Sequence, residues 1–221
     1  GASSGGEYAG VAPGAKVLSV KIAGRDGSAN VGKILYAIQW VVENKDAYGI
    51  DVLNLSLGTD SPQSYKHDPL NYAVERAWAE GVTVVVAAGN RGPDARTISK
   101  PADDPFVITT GAVDDLATPG IGDDILPDFS SAGPTIADGL TKPDLTAPGA
   151  HLISLRSPNS AIEPQFPGGG VDSIYRKGSG TSQSAGVVSG SVALLLSAHP
   201  ELTPNQVKYA LTHSAKKVAS N

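Results

Sequence analysis

Residues 82–88 (VTVVVAA) restrict the fold of this chain more than any other stretch, because apart from Thr83 the run is apolar on both faces of a strand. A strand solvated on one side alternates apolar with polar residues, so such a run belongs to a sheet covered on both sides. Strand and helix patterns alternate around it. Residues 16–22 (KVLSVKI) follow a Pro-Gly turn and predict a strand. Val31, Ile34, Leu35, Ile38, Val41 and Val42 fall at helical spacing, with Asn30 as N-cap and Gly49 past the end. Residues 51–57 (DVLNLSL) predict a second strand. Residues 69–80 predict a helix with Asp68 as N-cap, Pro69 in its first turn and Gly81 as its stop. A strand is expected over 106–113, and two helices over 182–198 and 204–213, the last capped by Thr203.

This alternation predicts an α/β fold, a parallel sheet sandwiched by helices. No repeat or linker divides the chain, so residues 1–221 form a single expected domain. Residues 114–178 are turn-rich and carry no readable period. In sheets of this kind chemistry gathers at the carboxyl ends of strands, which directs attention to the loops after Ile22, Leu57 and Ala88.

Composition narrows the function. Seventeen basic and 22 acidic side chains give a net charge of −5, with the basic ones scattered, which argues against nucleic acid as a partner. No apolar stretch reaches the roughly 20 residues that span a bilayer, so no membrane association is expected. The longest candidate, 187–198, is broken by Ser189, Gly190, Ser191 and Ser197. Without cysteine there is no disulfide, thiolate metal site or cysteine nucleophile. The chain also lacks methionine and begins at Gly1, so an N-terminal portion is expected to have been processed or excised.

Three segments carry candidate chemistry. In residues 178–186 (GSGTSQSAG), small residues lead into an apolar helix, and Ser182 stands at the helix's positive end. That suits a nucleophile, and equally an ordinary serine cap. The hydrolase elbow GxSxG is absent, since Gly180-Thr181-Ser182-Gln183-Ser184 ends in serine. Residues 84–92 (VVVAAGNRG) end a buried strand on Asn90, whose carboxamide is either a donor into a site or a turn residue. Residues 54–58 (NLSLG) place Gly58 at a strand end where an extended peptide could add as a strand. Asn54-Leu55-Ser56 is formally a glycosylation sequon, but its place in an expected buried strand argues against that use.

Together and in this order, with residues 9–15 (AGVAPGA) and 142–149 (KPDLTAPG), these segments resemble the subtilisin-like serine peptidases nearly end to end. The resemblance implies the family's three-layer fold and a secreted endopeptidase acting on peptides or proteins. It implies Ser182 as nucleophile, with the Asn90 side chain and the Ser182 N–H as oxyanion donors. It also implies a primary pocket between Ser56, Leu57, Gly58 and Ala87, Ala88, Gly89, with Ser99 near its base. Ser28, Ala29 and Val31 would line the opposite edge of the cleft. No cofactor is required and no metal ligand is assigned. Family members often bind structural calcium, for which Asp103, Asp104, Asp123 and Asp124 are the weak candidates.

Two departures stand out. The residue after the nucleophile is Gln183, where the family usually has methionine, and Ala185-Gly186-Val187 replaces its Ser-Pro-His. More consequentially, a serine hydroxyl needs a base oriented by a carboxylate. In the family these are an aspartate ending the first core strand and a histidine in a His-Gly-Thr-His context, and neither motif occurs here. The histidines are His67, His151, His199 and His213, none in such a setting. A site reduced to its serine keeps only about 10³–10⁴ over water, a figure measured in this family. The expectation is therefore a catalytic domain lacking its N-terminal segment, inactive alone and completed by a partner segment that carries both groups. Residues 1–6 (GASSGG) suit a nick. The alternative is an inactive fragment or pseudoenzyme that binds extended peptides without cleaving them.

Overall fold

The computed structural model describes residues 8–24 and 26–218. The expected nick at 1–6 lies outside them. The chain opens into α1 (Val31–Tyr48), whose Asn30 side chain accepts from the Gly32 N–H and whose C-cap Gly49 takes the left-handed conformation. Then follow β1 (Val52–Leu55), α2 (Pro69–Ala79), β2 (Thr83–Ala87) and β3 (Ile108–Val113). After them come β4 (Leu145–Pro148), β5 (Leu152–Leu155), the single-turn α3 (Ile162–Gln165) and β6 (Tyr175–Gly178). Two helices close the chain, α4 (Thr181–Ala198) and α5 (Pro204–Ser214), the latter started by a Thr203–Gln206 capping box.

β1 to β4 form one parallel sheet in the order β1-β2-β3-β4, and β5 and β6 pair as a separate antiparallel ribbon. β2 is buried at every residue, as its uniform sequence demands. α4 runs across all four strands, while α1 packs along α2 and the Trp78 indole on α2 donates to Asn205 on α5 at 2.9 Å. The core gathers Val84, Val85 and Val86 with Ile34, Ile38, Leu70, Val74, Ile108, Val188 and Val192.

A buried ion cluster locks β4 against its neighbours. Lys142 Nζ donates to Asp144 at 2.7 Å and to the Val107 carbonyl, and Lys208 on α5 reaches the other Asp144 oxygen at 3.0 Å. Burial pulls the Lys142 ammonium down from its ordinary 10.5 to about 8, against the attraction of Asp144 and with the help of nearby Lys208.

One expected strand does not form. Residues 16–22 are irregular, and Val17, Leu18 and Val20 are exposed, Val17 at 76%. Their β-branched composition still favours an extended ladder, but among the described residues the segment has no strand to pair with, and strand propensity without pairing is worth little. It flanks a groove of about 880 Å³ lined by Leu18, Val20 and Ile22 on one side and Tyr36, Ala37 and Trp40 of α1 on the other. The turn-rich stretch 114–178 hides β4, β5 and β6, each only four residues long, too short to show a period.

Candidate active site

The loops leaving β1 and β2 and the start of α4 meet at the carboxyl edge of the sheet. β6 leads into Ser179 and Gly180, which are held from the side: the His151 N–H donates to Ser179 Oγ at 2.9 Å and the Gly180 N–H to the Gly149 carbonyl at 2.8 Å. Gly180 is the N-cap of α4 and makes no side-chain cap bond; its carbonyl accepts from the Gln183 N–H at 3.1 Å, and the Thr181 N–H goes to the Asn90 side chain. Ser182 is the second residue of that helix. Its hydroxyl lies 3.4 Å from the Ser56 carbonyl oxygen, and the Ser56 hydroxyl donates back to the Ser182 carbonyl at 2.9 Å.

Asn90 stands beside it. Its Oδ1 accepts from the Thr181 N–H at 2.9 Å and from the Thr181 hydroxyl at 3.0 Å, and that hydroxyl in turn accepts from the Gly89 N–H at 3.1 Å. A carboxamide whose oxygen is held this way has only its Nδ2 left to offer. No simple motif rule marks Thr181, yet it sets the orientation of Asn90; the signal was its place immediately before the serine.

Ser56, Leu57 and Gly58 leave β1, and Ala87, Ala88 and Gly89 leave β2. Ser99 closes the space between them: its N–H donates to the Ala88 carbonyl at 3.0 Å, and Thr59 and Lys100 exchange paired backbone bonds beside it. A Cβ on Gly58 would stand 2.8 Å from the Ser99 Cβ, and one on Gly89, at φ +115°, would run into the Ser99 hydroxyl. Both positions therefore need glycine. Ser131 is a further lining residue without a sequence signal; its buried hydroxyl sits where a Gly89 side chain would go and accepts from the Arg91 N–H. Beyond the two walls, Arg91 and Asp60 form an ion pair at 2.8 Å.

Ser28 and Ala29 occupy the exposed loop before α1, and Val31 is the first residue of that helix. No hydrogen bond joins them to Ser56–Gly58 among the described residues. Asn54 is exposed, not buried as its strand suggested, because β1 pairs on one side only. Its carboxamide is engaged with Ser56 and Ser189. Gln183 folds back over Gly178 and Gly180, and its Oε1 is buried without a partner.

The histidines stand elsewhere. His67 ends a 3-10 turn, His199 caps α4 and faces Glu201 at 3.6 Å, and His213 stacks on Tyr209. His151 turns towards Asp114, 3.8 Å away. None bonds to Ser182 among the described residues.

Asp103 pairs with the buried Lys100 and shares the Asn71 amide with Asp104, whose other oxygen accepts from the Phe106 N–H. Burial raises Asp104 above the usual carboxylate range. Asp123 accepts from the Thr118 hydroxyl. Among the described residues, the four calcium candidates included, no three acidic or histidine side chains gather to hold a metal, and the buried Asp124 Oδ1 has no hydrogen-bond partner. Nor is any described helix long and apolar enough to cross a membrane.

The family model described as the subtilase family matches residues 1–221. The chain is 44% identical over 223 residues to the serine protease AprX of Bacillus subtilis (strain 168), covering 98% of this chain and 50% of that protein. It is 31% identical over 214 residues to subtilisin DY of Bacillus licheniformis, covering 96% and 65%. Among solved structures, the S41 psychrophilic protease superposes with a TM-score of 0.76 at 28% identity, over 96% of this chain and 64% of that one. Sphericase gives 0.74 at 26%, over 92% and 61%. The chain thus spans about half to two thirds of the length of these relatives.

Proposed function

The chain belongs to the subtilase family, and on that premise we propose that it is the serine-bearing part of an endopeptidase that forms its acyl-enzyme on Ser182. The observation that carries this reading is the double hold of Thr181 on Asn90 Oδ1, which leaves an amide donor beside the serine at the positive end of α4.

Ser182 Oγ adds to the scissile carbonyl carbon while its proton passes to a base. The carbonyl oxygen becomes an oxyanion that accepts from Asn90 Nδ2 and from the Ser182 N–H. Collapse breaks the C–N bond, the base returns its proton to the leaving amine, and water then hydrolyses the ester. The extended substrate pairs with the main chain of Ser56–Gly58, with Ser28, Ala29 and Val31 along its other edge. Its primary side chain enters between Gly58 and Gly89 towards Ser99. Cleavage takes place outside the cell, as the resemblance implies.

The base and its orienting carboxylate come from a segment outside these residues. That none of the four histidines bonds to Ser182 among the described residues supports this, as do the open edge of β1 and the unpaired residues 16–22, whose Val17, Leu18 and Val20 are exposed. A strand has backbone partners to gain there.

Hydrolysis of a peptide substrate by the protein that carries this segment is expected to disappear in Ser182→Ala. Substantial cleavage in that variant contradicts the reading. Peptide binding without cleavage in the unaltered protein favours the pseudoenzyme instead.

A further inference from the structure

A file of hydrogen bonds runs into Ser182 from outside the site. Ser189, about two turns further along α4, donates its hydroxyl to Asn54 Oδ1 at 3.0 Å. Asn54 Nδ2 donates to Ser56 Oγ at 3.0 Å. The Ser56 hydroxyl donates to the Ser182 carbonyl at 2.9 Å. Every bond points the same way, from the Ser189 hydroxyl to the Ser182 carbonyl. Asn54 is used at both ends of its carboxamide, its oxygen towards α4 and its nitrogen towards the β1 exit.

Stability alone does not account for these residue types. Asn54 and Ser56 are exposed, and asparagine is a poor strand former where threonine or valine would serve better. What the file does achieve is a fixed separation. It starts and ends on α4 and crosses to β1 between, so the wall that pairs with substrate and the helix that carries the nucleophile are tied at two points. Ser56 and Ser182 also face each other in the reverse sense, the Ser182 hydroxyl lying 3.4 Å from the Ser56 carbonyl.

We propose that Asn54 and Ser189 are positioning residues of the peptidase site: they hold Ser56 so that bound peptide and the Ser182 hydroxyl keep attack geometry. The inference rests on Ser182 being the nucleophile. A backbone bound to Ser56–Gly58 inherits the position of Ser56, and a shift of about 1 Å in a reacting group can cost on the order of 10²-fold in rate. Looser tethering therefore lowers kcat more than it raises KM.

The test is steady-state peptide hydrolysis by the active protein, with the base-bearing segment in place, for Ser189→Ala, Ser189→Thr and Asn54→Leu. Leucine keeps the shape of asparagine and removes both of its bonds. Ser189→Ala and Asn54→Leu are expected to lower kcat by about tenfold, the equivalent of one hydrogen bond lost in the transition state, with KM within about twofold. Ser189→Thr, which keeps the hydroxyl, restores kcat, and the melting temperature of Ser189→Ala stays within a few degrees of the parent. Unchanged kcat in folded Ser189→Ala and Asn54→Leu overturns the proposal, as does a loss that threonine fails to rescue. Ser182→Ala separates the two readings. Activity surviving there overturns the nucleophile assignment and this proposal with it, whereas its loss there alongside an unaltered Ser189→Ala overturns the positioning role alone.

Discussion

Thr181 binds the side-chain oxygen of Asn90 twice, through its N–H at 2.9 Å and its hydroxyl at 3.0 Å. The residue before Ser182 thereby fixes the orientation of the Asn90 carboxamide. Removing that amide, as in Asn90→Leu, is expected to lower kcat by about 10²–10³, a magnitude measured in this family. Thr181→Val keeps the N–H bond and the shape but loses the hydroxyl, so its loss in kcat should be smaller, about tenfold. Thr181→Ser should stay near the parent. Steady-state kinetics on one peptide amide checks the order of the three.

The pocket makes a second prediction. With the Gly58 Cβ position only 2.8 Å from the Ser99 Cβ, Gly58→Ala forces the floor to shift or the space to shrink. It should reduce kcat/KM for a phenylalanine at the cleavage position more than for an alanine. Ser99→Gly removes the obstructing group and should favour the larger side chain. Combining the two changes should restore much of what Gly58→Ala loses, because the clash is between those two residues. A ratio of specificity constants that does not move contradicts the assigned floor.

Gln183, next to Ser182 in the chain, carries an unpartnered, buried Oε1. Such an acceptor costs about 1–3 kcal/mol relative to an apolar group of similar shape. Gln183→Met should therefore raise the melting temperature. It should also make the protein lose activity in dilute peroxide, because a thioether is then exposed to oxidation next to Ser182. Thermal scans and a peroxide time course read the two effects separately.

Lys142 gives a pH dependence of stability. Its folded value is about 8 against an ordinary 10.5, so between those limits the unfolded chain binds more protons than the folded one. Unfolding free energy must then gain from this residue as pH rises, by up to about 1.4 kcal/mol per pH unit. The burial penalty on the charged form is fully present below pH 8 and relieved towards 10.5. In Lys142→Met that contribution vanishes, and urea unfolding between pH 8 and 10.5 should show a less positive slope. Equal slopes in the two proteins contradict the role assigned to burial.

The elements that the sequence made legible are those that satisfy their own rules locally. α1 runs from Asn30 to Gly49 and α2 starts at Asp68-Pro69 because the caps are side-chain and backbone chemistry written in a few adjacent residues. β2 was legible because burial on both faces leaves no alternation to misread. Residues 16–22 misled for the opposite reason: a strand needs a partner, and pairing is not encoded in the strand itself. At the candidate site, Ser182, Asn90 and the glycine-bearing walls could be singled out from ordered motifs as candidates. Thr181, Ser131 and the Asn54–Ser189 bond could not, since each depends on contacts between residues far apart in the chain.

The central claim is that Ser182 is the nucleophile, served by Asn90 and by a base from outside these residues. The most direct test labels the active protein, with its base-bearing segment, using a fluorophosphonate and locates the modified residue by peptide mass spectrometry. The predicted result is a single adduct on Ser182, formed far more slowly when the base-bearing segment is removed. A label on any other residue, or none on Ser182 in protein that is cleaving peptide, contradicts the account.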